Sequence, residues 1–114
     1  MSSVVRIEVC IDCADPDELI PFWMAALGYV RDPRDTRGLV DPDGAQPPLW
    51  FQRVPEPKTV KNRLHIDAYF DDEAGAERRR DELVALGATA VGRFEDFWLM
   101  NDPAGNEFCL CWPI

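Results

Sequence analysis

The chain has 114 residues, of which 46% are hydrophobic and 29% are charged. This length suits one domain, and the composition is typical of a folded globular protein rather than a disordered or membrane-spanning one. The formal net charge of −9 argues against nucleic acid and anionic membrane surfaces as partners, because phosphate binding requires clustered lysine and arginine. No basic leader with an apolar run precedes the first patterned segment, so we expect a cytoplasmic protein.

The first predicted element is a strand that begins near Val5 and ends near Asp12. Hydrophobic and polar residues alternate along it, which is the period of a half-buried strand. One face is therefore expected to cover a helix, and the other carries chemical groups. The apolar set is Val5, Ile7, Val9 and Ile11, and the polar set is Arg6, Glu8, Cys10 and Asp12.

A helix is predicted to follow this strand. Asp15 is a suitable cap, Pro16 suits the first helical position, and Gly28 is expected to stop the helix. Pro21 lies beyond the first turn and removes a helical hydrogen bond, so it should bend the helix or delay its regular start. The expected buried stripe is Leu19, Phe22, Trp23, Ala26 and Leu27.

Two polar segments are interpreted as connections. A polar loop is predicted at residues 31–38, and a loop without a functional role is favoured over a mobile flap above a site. An extended connector rich in proline and lysine is predicted at residues 55–62. Beyond the connector a second strand places Leu64, Ile66, Ala68 and Phe70 on its apolar face. A second helix, ended by Gly87, is expected to bury Ala76, Leu83 and Leu86, and two strands joined by a turn complete the chain.

The two halves of the chain repeat one plan. Each has a strand, an acidic cap, a helix that ends in Leu-Gly, and a later Asp-Pro-x-Gly turn. Equivalent residues lie 57 to 61 positions apart, for example Asp15 with Asp72 and Gly44 with Gly105. The sequence therefore predicts a duplicated module with few inserted loop residues.

His65 is the single histidine, and alternation places it on the chemical face of its strand with Asp67. The repeat makes it equivalent to Glu8, so an imidazole and a carboxylate occupy matching positions, and both are ligands of divalent metals. A hydrogen-bonded structural role and a role in a site remain equally open for His65.

The four cysteines are Cys10, Cys13, Cys109 and Cys111, and without export they should be reduced thiols. Their strand-like surroundings disfavour a four-cysteine zinc knuckle. Cys10 and Cys13 should point to opposite faces of a strand, which disfavours a redox pair. Small buried hydrophobic residues are the favoured reading.

The motifs VCIDCADP, FWMAALGY, LVDPDG, NRLHID and NDPAGNEFCL resemble the glyoxalase, bleomycin-resistance and extradiol-dioxygenase superfamily, also called the vicinal oxygen chelate fold. The resemblance covers nearly the whole chain and is nearest to a small glyoxalase-like branch of unassigned function. It implies two strand-helix-three-strand modules whose sheets curl around a concave cleft, with the helices outside.

The resemblance also implies four metal-ligand positions, two in each module. Three of them fall on Glu8, His65 and Cys109, and the fourth falls near Trp50 or Gln52, so the usual ligand set is incomplete. A divalent ion (Zn, Ni, Mn or Fe) held by Glu8, His65 and Cys109 is one hypothesis. Glu8 is then the first candidate for a catalytic base, and Asp67 would orient the imidazole of His65 or replace Glu8.

A metal-free reading is the binding of a small organic molecule by aromatic and polar side chains. Its candidate ligand-binding residues are Arg6, Trp50, Gln52, Arg63, His65, Tyr69, Trp98 and Met100. Residues of opposite parity are expected in the core, namely Phe97, Leu99, Phe108, Leu110 and Trp112.

The sequence thus predicts one α+β domain over residues 1–114, with module one at about 4–54, a connector at about 55–62 and module two at about 63–114. The favoured function is glyoxalase-like binding of a small organic molecule by a homodimer. The alternatives are a metal-dependent lyase, isomerase or dioxygenase using Glu8 and His65, and a non-catalytic interaction protein with a filled cleft. The ligand, the metal and the dimer geometry stay open.

Overall fold

We describe the chain from a computed structural model, which describes residues 2–114. The described residues up to Glu56 form one compact unit, and Pro57–Ile114 form a second. Both units have the same order of elements, a strand, a helix and three further strands. The α+β class and the duplicated module are therefore confirmed. The elements are β1 Val9–Cys13, α1 Pro16–Leu27, β2 Val30–Arg31, β3 Gly38–Val40, β4 Leu49–Arg53, β5 Ile66–Tyr69, α2 Glu73–Ala85, β6 Thr89–Arg93, β7 Phe97–Asn101 and β8 Glu107–Cys111.

The first unit joins α1 to a four-stranded mixed sheet of order β1-β4-β3-β2, in which β1 and β4 are parallel. The side chain of Asp15 accepts a hydrogen bond from the amide of Asp17, and Gly28 ends the helix in the left-handed region at φ 71°. These caps are the predicted ones. The helix begins at Pro16 and runs through Pro21, so that proline does not delay its start.

Alternation along β1 is confirmed from Val9 onward. Ile11 and Cys13 are buried, whereas Cys10 and Asp12 are exposed. Helix α1 contacts β4, where Leu49 and Phe51 are buried on the same face as Val9 and Ile11. The apolar face of the first sheet is thus its helix side.

The first strand of each unit, β1 and β5, is shorter than predicted. Val5 is 95% exposed and Leu64 is 88% exposed, and both precede the strands to which alternation assigned them. The β1–β4 ladder begins where Val9 pairs with Leu49, directly after Pro48, which has no amide hydrogen to donate. The burial of Val5, Ile7 and Leu64 was therefore predicted wrongly.

The second unit joins α2 to a sheet of order β5-β8-β7-β6. Asp72 caps α2 by accepting a hydrogen bond from the amide of Gly75 at 2.8 Å. Ala76 and Leu83 are fully buried, as predicted, but Leu86 is 51% exposed and is wrong as a core residue, because the helix has ended at Ala85.

The Asp-Pro-x-Gly turns are equivalent in the two units. The carboxylate of Asp41 accepts backbone hydrogen bonds from Asp43, Ala45 and Gln46, and these bonds lower its pKa. The carboxylate of Asp102 accepts from the amides of Ala104 and Asn106 and from the Asn106 side chain. Gly44 and Gly105 close these turns at φ 69° and 87°, a region that favours glycine.

The two segments predicted to be connections contain no regular helix or strand between Asp32 and Arg37 or between Val54 and His65. The second segment is bound to β8 of its own unit. The carboxylate of Glu107 contacts Lys58 Nζ at 3.1 Å and accepts a hydrogen bond from the amide of Asn62 at 3.0 Å. Across residues 2–114, neither helix has the length and apolar character needed to cross a membrane.

Candidate functional site

Each sheet has one face that its own helix does not cover, which we call the helix-free face. In the second sheet, the ladder pairs Asp67 with Cys109 and Tyr69 with Cys111, so these four side chains share a face. The opposite face carries Ile66 and Ala68, which pair with Phe108 and Leu110. This division confirms that Asp67 and Tyr69 lie on the chemical side of β5.

His65 lies immediately before β5 and on the same side as Asp67. Its Nδ1 is 2.9 Å from Asp67 Oδ1, and both side chains are about two-fifths exposed (38% and 41%). The imidazole of His65 is therefore not packed beneath the helix. A carboxylate at this distance fixes the orientation of the imidazole, as a residue that positions a base or a metal ligand does.

Three groups of different chemistry meet at this point. The ligand atoms of His65, Asp67 and Cys109 all lie within 4.8 Å of one another. Cys109 is buried in β8, whereas the side chains of His65 and Asp67 are exposed. The cluster is therefore reachable from solvent through His65 and Asp67. An imidazole, a carboxylate and a thiol are side-chain groups that bind divalent metals or transfer protons, so this cluster is the candidate site of the second unit.

The two thiols of β8 are held in the protonated form. Burial, followed by the negative charge of Asp67, raises the pKa of Cys109 to about 12. Burial also raises the pKa of Cys111 to about 11, with further contributions from Asp67 and Asp96. Since the thiolate is the nucleophile, nucleophilic catalysis by Cys109 is disfavoured in the protein without a bound cation.

We expect one thiol to react rapidly with Ellman's reagent at pH 8 in the native protein, and that thiol to be Cys10. Cys10 is exposed, whereas Cys13, Cys109 and Cys111 are buried. A pKa of about 12 leaves on the order of one Cys109 in 10,000 as thiolate at that pH. Unfolding in guanidinium should release all four thiols, and Cys10→Ser should remove the fast phase. Rapid native labelling of Cys109 would contradict this description of the site.

The first sheet carries a second set of predicted site residues on its helix-free face. Trp50 pairs with Cys10 and Gln52 pairs with Asp12, so all four share that face. The thiol of Cys10 lies 3.7 Å from Gln52 Oε1 as a hydrogen-bond donor. Cys10 and Cys13 lie on opposite sides of β1, as the argument against a redox pair required.

Glu8 lies just before β1, and its carboxylate is paired with Arg6 at 3.0 Å. Arg6 and Glu8 are therefore both outside the strand to which the alternation assigned them. Arg63 is exposed and precedes β5 in the same way. Glu8 belongs to the first unit and the cluster to the second, so a shared cleft for Glu8 and His65 stays a prediction.

The face predicted for Trp98 and Met100 is wrong. They pair with Leu110 and Phe108, so they lie on the helix side of the second sheet. The indole of Trp98 donates to Glu77 of α2 at 3.2 Å, and the guanidinium of Arg80 lies 4.6 Å from its ring centroid. Met100 is fully buried. Neither residue is retained as a ligand-binding candidate.

The core position predicted for Phe97 and Leu99 is also wrong. They pair with Cys111 and Cys109 and so lie on the helix-free face, only partly buried, rather than in the core with Phe108 and Leu110. Phe97 stacks on Phe94 with ring centroids 4.9 Å apart. Trp112 is buried as predicted. The helix-free face of the second sheet thus gains Phe97 and Leu99 as apolar neighbours of the cluster.

The donor atoms decide which metals the candidate site fits. The sequence predicts a catalytic or orienting role for Asp67. In the structure its carboxylate oxygen lies within 4.8 Å of the ligand atoms of His65 and Cys109, so it is also a candidate metal ligand. A set of thiol, imidazole and carboxylate fits zinc better than manganese or magnesium, which prefer oxygen ligands. The fourth expected position falls near Trp50 or Gln52, and neither side chain has an anionic oxygen; the amide oxygen of Gln52 accepts a hydrogen bond from the thiol of Cys10.

Comparison with known proteins agrees with this fold. A family model described as a glyoxalase-like domain matches residues 8–111. The chain therefore belongs to the glyoxalase-like family, within the vicinal oxygen chelate superfamily. Among curated proteins, no sequence matches this chain.

Solved structures with low sequence identity share the fold. A glyoxalase/bleomycin resistance protein/dioxygenase family enzyme from Burkholderia phytofirmans PsJN has a TM-score of 0.77 at 14% identity, over 94% of this chain and 97% of its own. The fosfomycin resistance protein FosX from Mesorhizobium loti has a TM-score of 0.73 at 13% identity, over 100% and 95%. The hypothetical protein SA1046 from S. aureus has a TM-score of 0.73 at 14% identity, over 98% and 96%. At these identities the likeness establishes the fold alone.

Proposed function

We propose that this glyoxalase-like protein binds a small, oxygen-rich organic molecule on the helix-free face of its second sheet. The observation that carries the proposal is the division of each sheet into a filled apolar side and a side with exposed polar and aromatic groups. In the second sheet that side presents His65, Asp67 and Tyr69. In the first it presents Cys10, Trp50 and Gln52.

The side chains on each helix-free face suit a ligand with an apolar body and polar oxygens. In the second sheet Tyr69 offers ring surface and His65 a hydrogen-bond donor, and in the first Trp50 and Gln52 offer the same two kinds of group. Arg63, exposed just before β5, is a further candidate donor. The names of two solved structures of this fold mention resistance to bleomycin and to fosfomycin, which is why we choose these molecules as probes of the same ligand class here.

The His65, Asp67 and Cys109 cluster favours a second candidate, a metal-dependent lyase, isomerase or dioxygenase. A divalent ion at the cluster would supply Lewis-acid chemistry toward adjacent oxygens of a substrate. Asp67, whose carboxylate contacts the imidazole of His65, would hold the ion together with His65 and Cys109, and Leu99, the ladder partner of Cys109, would be its apolar neighbour. Glu8 stays the predicted base in this hypothesis.

Nuclear magnetic resonance tests the binding proposal without a known ligand. We expect fosfomycin, bleomycin or catechol, titrated into ¹⁵N-labelled protein with EDTA present, to shift amide signals of His65, Asp67 and Tyr69. Matched variants are Tyr69→Ala, expected to weaken binding about tenfold, and Phe94→Ala, expected to leave it unchanged. Shifts confined to α2, or none from any of the three probes at millimolar concentration, would contradict the proposal.

The homodimer and the cytoplasmic location stay predictions. The same holds for the single-domain boundaries at residues 1–114 and for the absence of a nucleic-acid partner.

A further inference from the structure

We propose that β5 and β8 form a zinc site whose three protein ligands, His65, Asp67 and Cys109, all come from the second module. This proposal goes beyond organic-ligand binding and does not depend on it. It also differs from the arrangement implied by the family resemblance, in which each module contributes two ligands and Glu8 is one of them.

The distances suit zinc with small side-chain movements. Bonds of about 2.0 to 2.3 Å to a tetrahedral ion place the ligand atoms roughly 3.3 to 3.6 Å apart. The three candidate atoms lie within 4.8 Å of one another, and His65 Nδ1 and Asp67 Oδ1 are 2.9 Å apart. Because His65 and Asp67 are exposed, their side chains are free to adjust, while the buried Cys109 stays fixed.

The backbone holds two of the three ligands, Asp67 and Cys109, in register before any ion binds, and His65 directly precedes the same strand. Asp67 and Cys109 are direct partners in the parallel β5–β8 ladder, and β8 lies between β5 and β7 in the sheet. Moving either residue away from the other would break this ladder. A site built on paired strands therefore loses little conformational entropy on binding.

The ligand types specify the metal and leave one position open. A thiolate with an imidazole and a carboxylate favours zinc over calcium, magnesium and manganese. On binding, the S–H bond of Cys109 breaks, its proton leaves to solvent and an S–Zn bond forms. Three protein ligands leave the fourth tetrahedral position to water or to an oxygen of a bound molecule, as in catalytic zinc sites.

Cobalt spectroscopy tests the thiolate directly. Tag-free, reduced protein titrated with Co²⁺ should develop a near-ultraviolet sulfur-to-cobalt charge-transfer band and the visible absorption of tetrahedral cobalt. Equimolar Zn²⁺ should abolish both. Absence of the charge-transfer band in the native protein would overturn the proposal.

Variants assign the ligands. Cys109→Ser should remove the charge-transfer band and lower zinc affinity by at least about 100-fold, and His65→Ala or Asp67→Ala should lower it at least about tenfold. Cys111→Ser is the matched control, a second buried thiol on the same strand, and should keep the band and the affinity. A band that survives Cys109→Ser, or is lost in Cys111→Ser, would refute the assignment.

Glu8→Gln separates the one-module site from the two-module arrangement. We expect unchanged zinc affinity by calorimetry, because Glu8 is not among the three ligands. A loss of tenfold or more would overturn the one-module site. If Cys109→Ser fails to fold by circular dichroism, the exposed-residue variants His65→Ala and Asp67→Ala decide. Organic-ligand binding is measured in EDTA, so a failure of the zinc site leaves that result independent.

Discussion

Replacing Phe108 with alanine is expected to lower the free energy of unfolding by about 4 kcal/mol, the largest single effect that we predict. Phe108 is 1% exposed and lies in β8, where it pairs with Ile66 of β5 and Met100 of β7. Its removal leaves a cavity on the helix side of the second sheet, which strands on both sides keep from collapsing. Urea unfolding followed by circular dichroism measures the change.

Phe94→Ala is the matched control for this prediction. Its ring is 50% exposed and stacks on Phe97, so we expect a loss of no more than about 1 kcal/mol. Equal losses for the two phenylalanines would contradict the assignment of the core to the helix side of the sheet.

Asp102→Ala is expected to lower the free energy of unfolding by about 3 kcal/mol, because it removes the buried carboxyl group that accepts three hydrogen bonds in the turn. The side chain is 3% exposed and accepts from the amides of Ala104 and Asn106 and from the Asn106 side chain. These bonds fix the turn that aligns β7 with β8, the strand that carries Cys109. Thermal and urea unfolding of the purified variant check the value.

Two comparisons sharpen this second prediction. Asp102→Asn keeps one side-chain oxygen as an acceptor and should lose less than half as much stability. Asp41→Ala removes the equivalent acceptor in the first module, where the side chain is less buried, and should lose less than Asp102→Ala. A larger loss of stability for Asp41→Ala than for Asp102→Ala would show that burial does not determine how much each carboxylate stabilises its turn.

Local signals in the sequence predicted the architecture well. The caps at Asp15 and Asp72 and the glycine stop at Gly28 depend on neighbouring residues only, so the sequence reveals them. The alternation at Ile11 and Cys10 depends on which side the helix covers, and that side must be the apolar one. The repeat then transferred each assignment from one half of the chain to the other.

Long-range pairing explains the errors. Val5 and Leu64 continue the apolar alternation, but strand length is set by where the partner strand begins to pair. The β1–β4 ladder begins at Leu49 after two prolines, and the β5–β8 ladder begins where Ile66 pairs with Phe108. Trp98 lies in the run Phe97–Met100, which is apolar at every position and so has no period of two. Its face is decided by pairing with Leu110, which the sequence alone does not reveal.

The candidate site was predicted in part. Parity placed His65 and Asp67 on one side of β5, and their 2.9 Å contact confirms it. The pairing of Asp67 with Cys109 depends on the register between β5 and β8, some 40 residues apart. Sequence reasoning therefore placed Asp67 beside His65, and the family resemblance implied Cys109 as a ligand together with His65. Neither predicted that Asp67 pairs directly with Cys109.

Anomalous diffraction from crystals soaked in zinc tests the location of the site most directly. We predict a peak at the zinc edge within about 2.0 to 2.3 Å of a His65 nitrogen, an Asp67 oxygen and the Cys109 sulfur. A peak elsewhere in the molecule, or none at these residues in a crystal that binds zinc at other surfaces, would contradict a functional centre on the helix-free face of the second sheet.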